Sequence, residues 1–125
     1  MNSRILIAIG AFAAFLSVAA GAFGAHILKT RIDADMMTVF ETAVRYQMYH
    51  SLALVFTGML AGIYKSKIIH SAGLLFIFGI ILFSGSLYIL SLSGLKWFGA
   101  ITPLGGLAFL GGWISLFIYF IKKTH

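Results

Sequence analysis

The chain has 125 residues, of which 61% are hydrophobic, 10% are charged and none is cysteine, and its mean hydropathy is +1.03. Soluble domains are about 45–50% apolar and about 25% charged, so this composition excludes a water-soluble fold, and the missing thiols exclude disulfides, a thiolate nucleophile and a zinc–thiolate site. The net charge of +6 does not describe a nucleic-acid surface, because Arg4, Lys29/Arg31, Lys65/Lys67, Lys96 and Lys122/Lys123 stand singly or in pairs at the ends of apolar runs, where lysine and arginine mark membrane edges.

The first apolar run covers residues 5–28, long enough for the roughly 20 residues that cross a bilayer. Arg4 ahead of it and Ala20-Gly21-Ala22 within it also fit a signal peptide, although the run is long for one. A polar connection follows, in which Asp33 or Asp35 caps the start of a second helix. If that helix continues to Tyr64 it has about 30 residues and measures about 45 Å, more than the roughly 30 Å hydrocarbon core. Its membrane span is predicted over 46–64, behind a polar, amphipathic approach segment that protrudes, bends or lies in the interface. Met36, Met37, Phe40, Val44 and Met48 are the apolar face of that segment, and Thr38, Glu41, Thr42 and Arg45 the polar one. The third and fourth spans are predicted over 68–92 and 97–121, joined to their neighbours by short connections that make antiparallel hairpins. The fold class is therefore all-α: a single-domain integral membrane four-helix bundle. Arg4, Lys65, Lys67, Lys122 and Lys123 fall at one end and Lys29, Arg31 and Lys96 at the other, five against three, which predicts cytoplasmic termini in a multi-pass cell-membrane protein.

The stretch FETAVRYQMYH, residues 40–50, is the costly part of this chain. It brings Glu41, Arg45, Tyr46, Tyr49 and His50 to the mouth of a span, with Glu41/Arg45, Arg45/Tyr49 and Tyr46/His50 four residues apart and so neighbours on a helix. An ion pair with tyrosines at headgroup level is an ordinary anchor. His50, about 21 Å from Tyr64 along the helix, lies deeper than an anchor needs. By the same counting His26, Ser84, Ser86, Tyr88 and Thr102 fall in the same outer leaflet. The candidate binding cluster is thus His26, Glu41, Arg45, Tyr46, His50, Ser84, Ser86, Tyr88 and Thr102, since polar groups in lipid must find partners inside the bundle. The same hydroxyls are equally read as hydrogen-bond glue. Pro103 either kinks the fourth helix or sits harmlessly in its first turn, the preferred reading.

Small residues recur at packing spacings: Gly58/Gly62, the ridge Ala13/Ser17/Gly21/Ala25, and Ala108/Gly112. They let helices approach closely, within one bundle or between copies, and a homo-oligomer is expected. Nucleotide-loop, zincin and nucleophile-elbow motifs are absent, and with three acidic residues a paired-carboxylate mechanism has little to work with. His26, His50 and Glu41 as metal ligands, or two histidines on haem, have no support from spacing; neither metal nor cofactor is expected. His70 and His125 are expected to be solvated.

The motifs GAFGAH (21–26), FETAVRYQMYH (40–50), FSGSLY (83–88) and TPLGG (102–106), in this order and spacing, resemble a family of small four-helix membrane proteins of unknown function, the YwdK/YgdD-like bacterial inner-membrane proteins. The resemblance covers nearly the whole chain and implies the four-helix membrane fold, without supplying an activity or a ligand. From the residues, the expected function is a non-enzymatic membrane module. Its polar cluster would bind a lipid headgroup or a membrane protein partner, with Arg45 as anionic anchor and Tyr46, His50 and Tyr88 as hydrogen-bonding walls. The alternative is a transporter or channel for a small solute or proton along His50, Arg45 and Glu41, although only half of the membrane depth looks polar.

Overall fold

The computed structural model describes residues 2–122; Lys123 and His125 lie outside the described residues. Four long helices run antiparallel in chain order. Helix α1, Ser3–Leu28, starts on Asn2, whose Oδ1 accepts from the Ile5 N–H (3.0 Å), and contains a π-helical turn at Ala20–Gly24. Helix α2, Ala34–Tyr64, is capped by Asp33, whose Oδ1 accepts from the Met36 N–H (2.8 Å). Helix α3, Lys67–Ser93, is capped by the Ser66 hydroxyl and contains a second π-helical turn at Ile80–Ser84. A 3₁₀ turn at Lys96–Ala100 leads into α4, Thr102–Lys122. Pro103 falls in the first turn of α4, where a missing N–H costs nothing.

Three of the units, Ser3–Leu28, Lys67–Ser93 and Lys96–Lys122, are long and apolar enough to cross a membrane. Helix α2 is longer but more polar, and it leaves Leu52, Phe56, Met59 and Ile63 exposed on one side. Its buried residues Phe40, Ala43, Gln47, His50, Ser51, Ala53, Leu54, Thr57, Gly58 and Ala61 make a broad face, widest beyond His50, that meets its neighbours. The approach segment does not separate from the span: α2 is continuous from Ala34, and Phe40 and Ala43 are already buried. The lipid-facing surface draws on all four helices, through residues such as Phe12, Phe15, Phe56, Phe78 and Leu110, all exposed.

Glycine sets how the helices meet. In the α1–α2 hairpin Gly10 lies against the Ser51 carbonyl and Val55, and Gly58 against Ile7 and Ser3. In the α3–α4 hairpin Gly79 receives the Phe109 ring, Gly112 receives the Phe76 ring, and Gly105 rests on the backbone of Phe83. A Cβ at any of these would overlap its neighbour, so the hairpins close only because the side chain is absent. The small-residue ridges foreseen in the sequence are thus filled from within the chain, with Ser17 and Gly21 meeting Val44. One core cluster, Leu6, Leu54, Ala61 and Ile69, joins α1, α2 and α3 in the half nearer the termini. A second, Ala53, Phe76 and Phe109, joins α2, α3 and α4 at mid-depth. The start of α1 and the end of α4 lie at one end of the bundle, hereafter the terminal end, where Ser3 reaches Gly62 and Tyr64 meets Tyr119.

Candidate functional site

Helix α2 is held in the far half of the bundle by hydrogen bonds from both flanking helices. Ser17 on α1 donates to the Val44 carbonyl (2.8 Å) and Ser84 on α3 donates to the Ala43 carbonyl (2.7 Å). Gln47 donates from Nε2 to the Ala13 carbonyl (2.8 Å) and accepts at Oε1 from the Tyr88 hydroxyl (2.5 Å). The amide orientation follows from these partners, since a carbonyl can only accept. Between α3 and α4 the Ser86 and Thr102 hydroxyls meet at 2.6 Å, and Ser86 also lies 3.0 Å from the Phe83 carbonyl. Thr102 has a carbonyl in reach as well, that of Phe98 at 3.5 Å, so either hydroxyl can donate the bond between them. Among the described residues, no buried side-chain nitrogen or oxygen lacks a partner, as a protein in lipid requires.

His50 is the deepest ionisable group of the cluster and is buried. Its Nδ1 lies 2.8 Å from the Tyr46 carbonyl, and its Nε2 lies 3.1 Å from the indole N–H of Trp113. The indole can only donate, so Nε2 accepts and Nδ1 carries the hydrogen given to Tyr46. The ring stacks on Phe109 with centroids 3.5 Å apart and planes 9° apart, and Phe76 packs on it at 5.7 Å. Both nitrogens are engaged and one face is covered.

On the lipid-facing side of this stack, α2 and α4 stand apart. A groove of about 600 Å³ opens there, lined by Tyr46, His50, Phe83, Pro103, Leu107 and Trp113, among others. Tyr46 packs on Phe83 at 4.6 Å and closes the groove floor toward α3. Beside Tyr46 in sequence, Arg45 is exposed, and its guanidinium reaches the Thr42 hydroxyl at 3.5 Å. The groove is apolar, and Arg45, the residue before Tyr46 in sequence, is not itself among the lining residues.

The expected cluster divides into three sets. Ser84, Ser86, Tyr88 and Thr102 are committed to helix-to-helix hydrogen bonds. Tyr46 and His50 line the groove. His26, Glu41 and Arg45 are exposed, on faces that point away from the hydrogen-bonded interior. The Glu41–Arg45 pair expected one turn apart is not formed, since among the described residues the Arg45 guanidinium has only the Thr42 hydroxyl within hydrogen-bonding reach. No three His, Cys, Asp or Glu side chains are gathered as a metal would need, among the described residues. Gln47, Ser17 and Trp113 belong to the site although the sequence reading passed over them. Gln47 carried a usable signal, because an uncharged amide deep in a span has to find partners.

Residues 20–106 match a family described as "Protein of unknown function (DUF423)". The UPF0382 membrane protein YwdK of Bacillus subtilis is 44% identical over 120 residues, covering 95% of this chain and 98% of the relative. UPF0382 membrane proteins of Staphylococcus haemolyticus and of Staphylococcus aureus strain USA300 are 45% and 48% identical over 119 residues, each covering 95% of this chain and 97% of the relative. No solved structure matches the chain. The chain belongs to this family of membrane proteins of unknown function.

Proposed function

We propose that this member of the family is a non-enzymatic, multi-pass module of the cell membrane, with cytoplasmic termini, that holds a phospholipid in the groove between α2 and α4. The observation that carries the reading is the groove itself: apolar, about 600 Å³, and lined by Tyr46, Leu107 and Trp113, with exposed Arg45 beside Tyr46. From Tyr64 to Arg45 is about 29 Å along the helix, close to the roughly 30 Å hydrocarbon thickness, so the guanidinium stands at headgroup level. An acyl chain would lie along the groove while the phosphate meets Arg45 and the exposed Tyr49 hydroxyl, in a charge-assisted contact. Polar side chains inside the bundle are saturated by one another, which favours holding over chemistry or conduction. His50 in particular has no free nitrogen with which to pass a proton along.

Native mass spectrometry of the purified protein tests this reading. Phosphatidylglycerol should be retained over phosphatidylcholine, and Arg45→Ala should reduce retention several-fold while Leu107→Trp, which fills the groove, should do the same for both lipids. Equal retention of the two lipids by the wild type and by Arg45→Ala would overturn it. Self-association belongs to the same proposal. With the glycine ridges used inside the chain, copies would meet on exposed aromatic faces such as Phe12 and Phe15, and the same spectra count the copies.

A further inference from the structure

The terminal end of the bundle carries a second, different pocket. It measures about 530 Å³ and is lined by Tyr64, Lys65, Ser66, Tyr119 and Lys122, among others. One lysine from the turn after α2 and one from the end of α4 thus converge on one concavity. The chain has three acidic side chains, Asp33, Asp35 and Glu41, and all belong to the start of α2 at the opposite end. Nothing acidic in the described pocket offsets the lysines.

Lysines at helix ends are common membrane-edge markers and complement the C-terminal dipole. That role explains their charge but not the backbone of Lys65. Lys65 follows α2 in the left-handed region, at φ 51° and ψ 40°, and is the only non-glycine residue with positive φ among the described residues. Glycine is the usual residue there, because a Cβ is disfavoured in that conformation. Lys67, two residues on, is exposed and already available as an edge charge. A lysine kept at a glycine position, lining a pocket with a second lysine, indicates that the ammonium is needed where the turn aims it.

We infer that this pocket binds the phosphate of an anionic phospholipid in the leaflet at the terminal end, a site separate from the Arg45 groove. Lys65 and Lys122 would take the phosphate oxygens as point charges. A separate apolar slot of about 410 Å³ between α2 and α4, lined by Leu60, Ile63 and Leu116 among others, shares no lining residue with the lysine pocket but lies on the same half of the bundle and offers room for an acyl chain. Basic pockets between transmembrane helices are suited to anionic headgroups in this way.

The test is thermal unfolding in nanodiscs, with bound lipid counted by native mass spectrometry. Phosphatidylglycerol should raise the unfolding temperature over phosphatidylcholine in the wild type. Lys65→Gly relieves the strained turn, so it should unfold at or above the wild-type temperature in phosphatidylcholine, yet lose part of the phosphatidylglycerol shift. Phosphatidylglycerol in the Arg45 groove stabilises the fold as well, so Arg45→Ala should remove one bound lipid and only its own part of the shift, and Lys65→Gly/Lys122→Gln should remove the other lipid and the rest, while Lys65→Arg should keep it; the two sites then succeed or fail separately. An undiminished shift in the Lys65→Gly/Lys122→Gln variant would overturn the inference. A shift of equal size from inorganic phosphate in phosphatidylcholine nanodiscs would also overturn it, because the site would then be one for free phosphate.

Discussion

Gln47 is the one side chain that bonds to both helices beside α2, donating to the Ala13 carbonyl of α1 and accepting from Tyr88 of α3. Hydrogen bonds between transmembrane helices average ~0.6 kcal/mol and reach ~1.7 kcal/mol, so Gln47→Leu should cost roughly 1–3 kcal/mol in a reversible unfolding measurement. Tyr88→Phe alone leaves the Gln47 oxygen buried and unpaired. The double variant should therefore cost less than the sum of the two singles, a coupling that a double-mutant cycle reads directly; strict additivity would refute the pairing. The sequence gives the depth of such residues well, because each helical residue adds a known rise. It gives their direction poorly. Arg45, Tyr46 and Gln47 are consecutive, yet one is exposed, one lines the groove and one is buried, since each step turns the helix by about 100°. Reading FETAVRYQMYH as one wall therefore placed Glu41 and Arg45 with Ser84, while the inward amide between them and His50 was left out.

Helices α1 and α3 each carry a π-helical turn, at Ala20–Gly24 and Ile80–Ser84. Such a turn accommodates an extra residue and re-phases the side chains beyond it. The ends of the later helices were easier to foresee: residues 68–92 and 97–121 each fall one residue inside the helical units Lys67–Ser93 and Lys96–Lys122, and of the two aspartates that could cap α2 it is Asp33 that does. The glycines of α3 and α4 separate packing need from local convenience. Gly105→Ala would place a methyl group on the Phe83 backbone, which cannot move as a side chain tip can, and overpacking of this kind costs about 1–3 kcal/mol. Gly85 has nothing within 4 Å of where a Cβ would stand, so Gly85→Ala should stabilise by about 0.5–1 kcal/mol through helix propensity. Unfolding midpoints of the two variants in one detergent decide this, and a destabilised Gly85→Ala would mean that the open space there is used.

At the scale of the whole molecule, two glycine-closed hairpins lie side by side. The first is closed by Gly10 and Gly58, the second by Gly79, Gly105 and Gly112. Side-chain hydrogen bonds then join them: Ser84 to Ala43, Tyr88 to Gln47 and Trp113 to His50. Lys65 and Ser66 are the only residues between the hairpins, since α2 ends at Tyr64 and α3 begins at Lys67. Each hairpin satisfies its own backbone and much of its packing, as the two-stage view of membrane folding asks of separately inserted units. Residues 1–65 and 66–125 produced as two chains should therefore co-purify as one complex, and Gln47→Leu together with Trp113→Phe should weaken that complex while leaving each fragment inserted. Failure of intact fragments to associate would show that the connection, and not the interface, holds the halves together. Seen from the ribosome, the short Lys65–Ser66 joint is a boundary in time: the first half is made, and leaves the tunnel, ahead of the second. The grip of Ser84, Tyr88 and Trp113 on α2 is then an event of arrival, in which a late hairpin reads the exposed seam of an early one. A gene interrupted at that joint could pass its two halves to different transcripts and still deliver one protein.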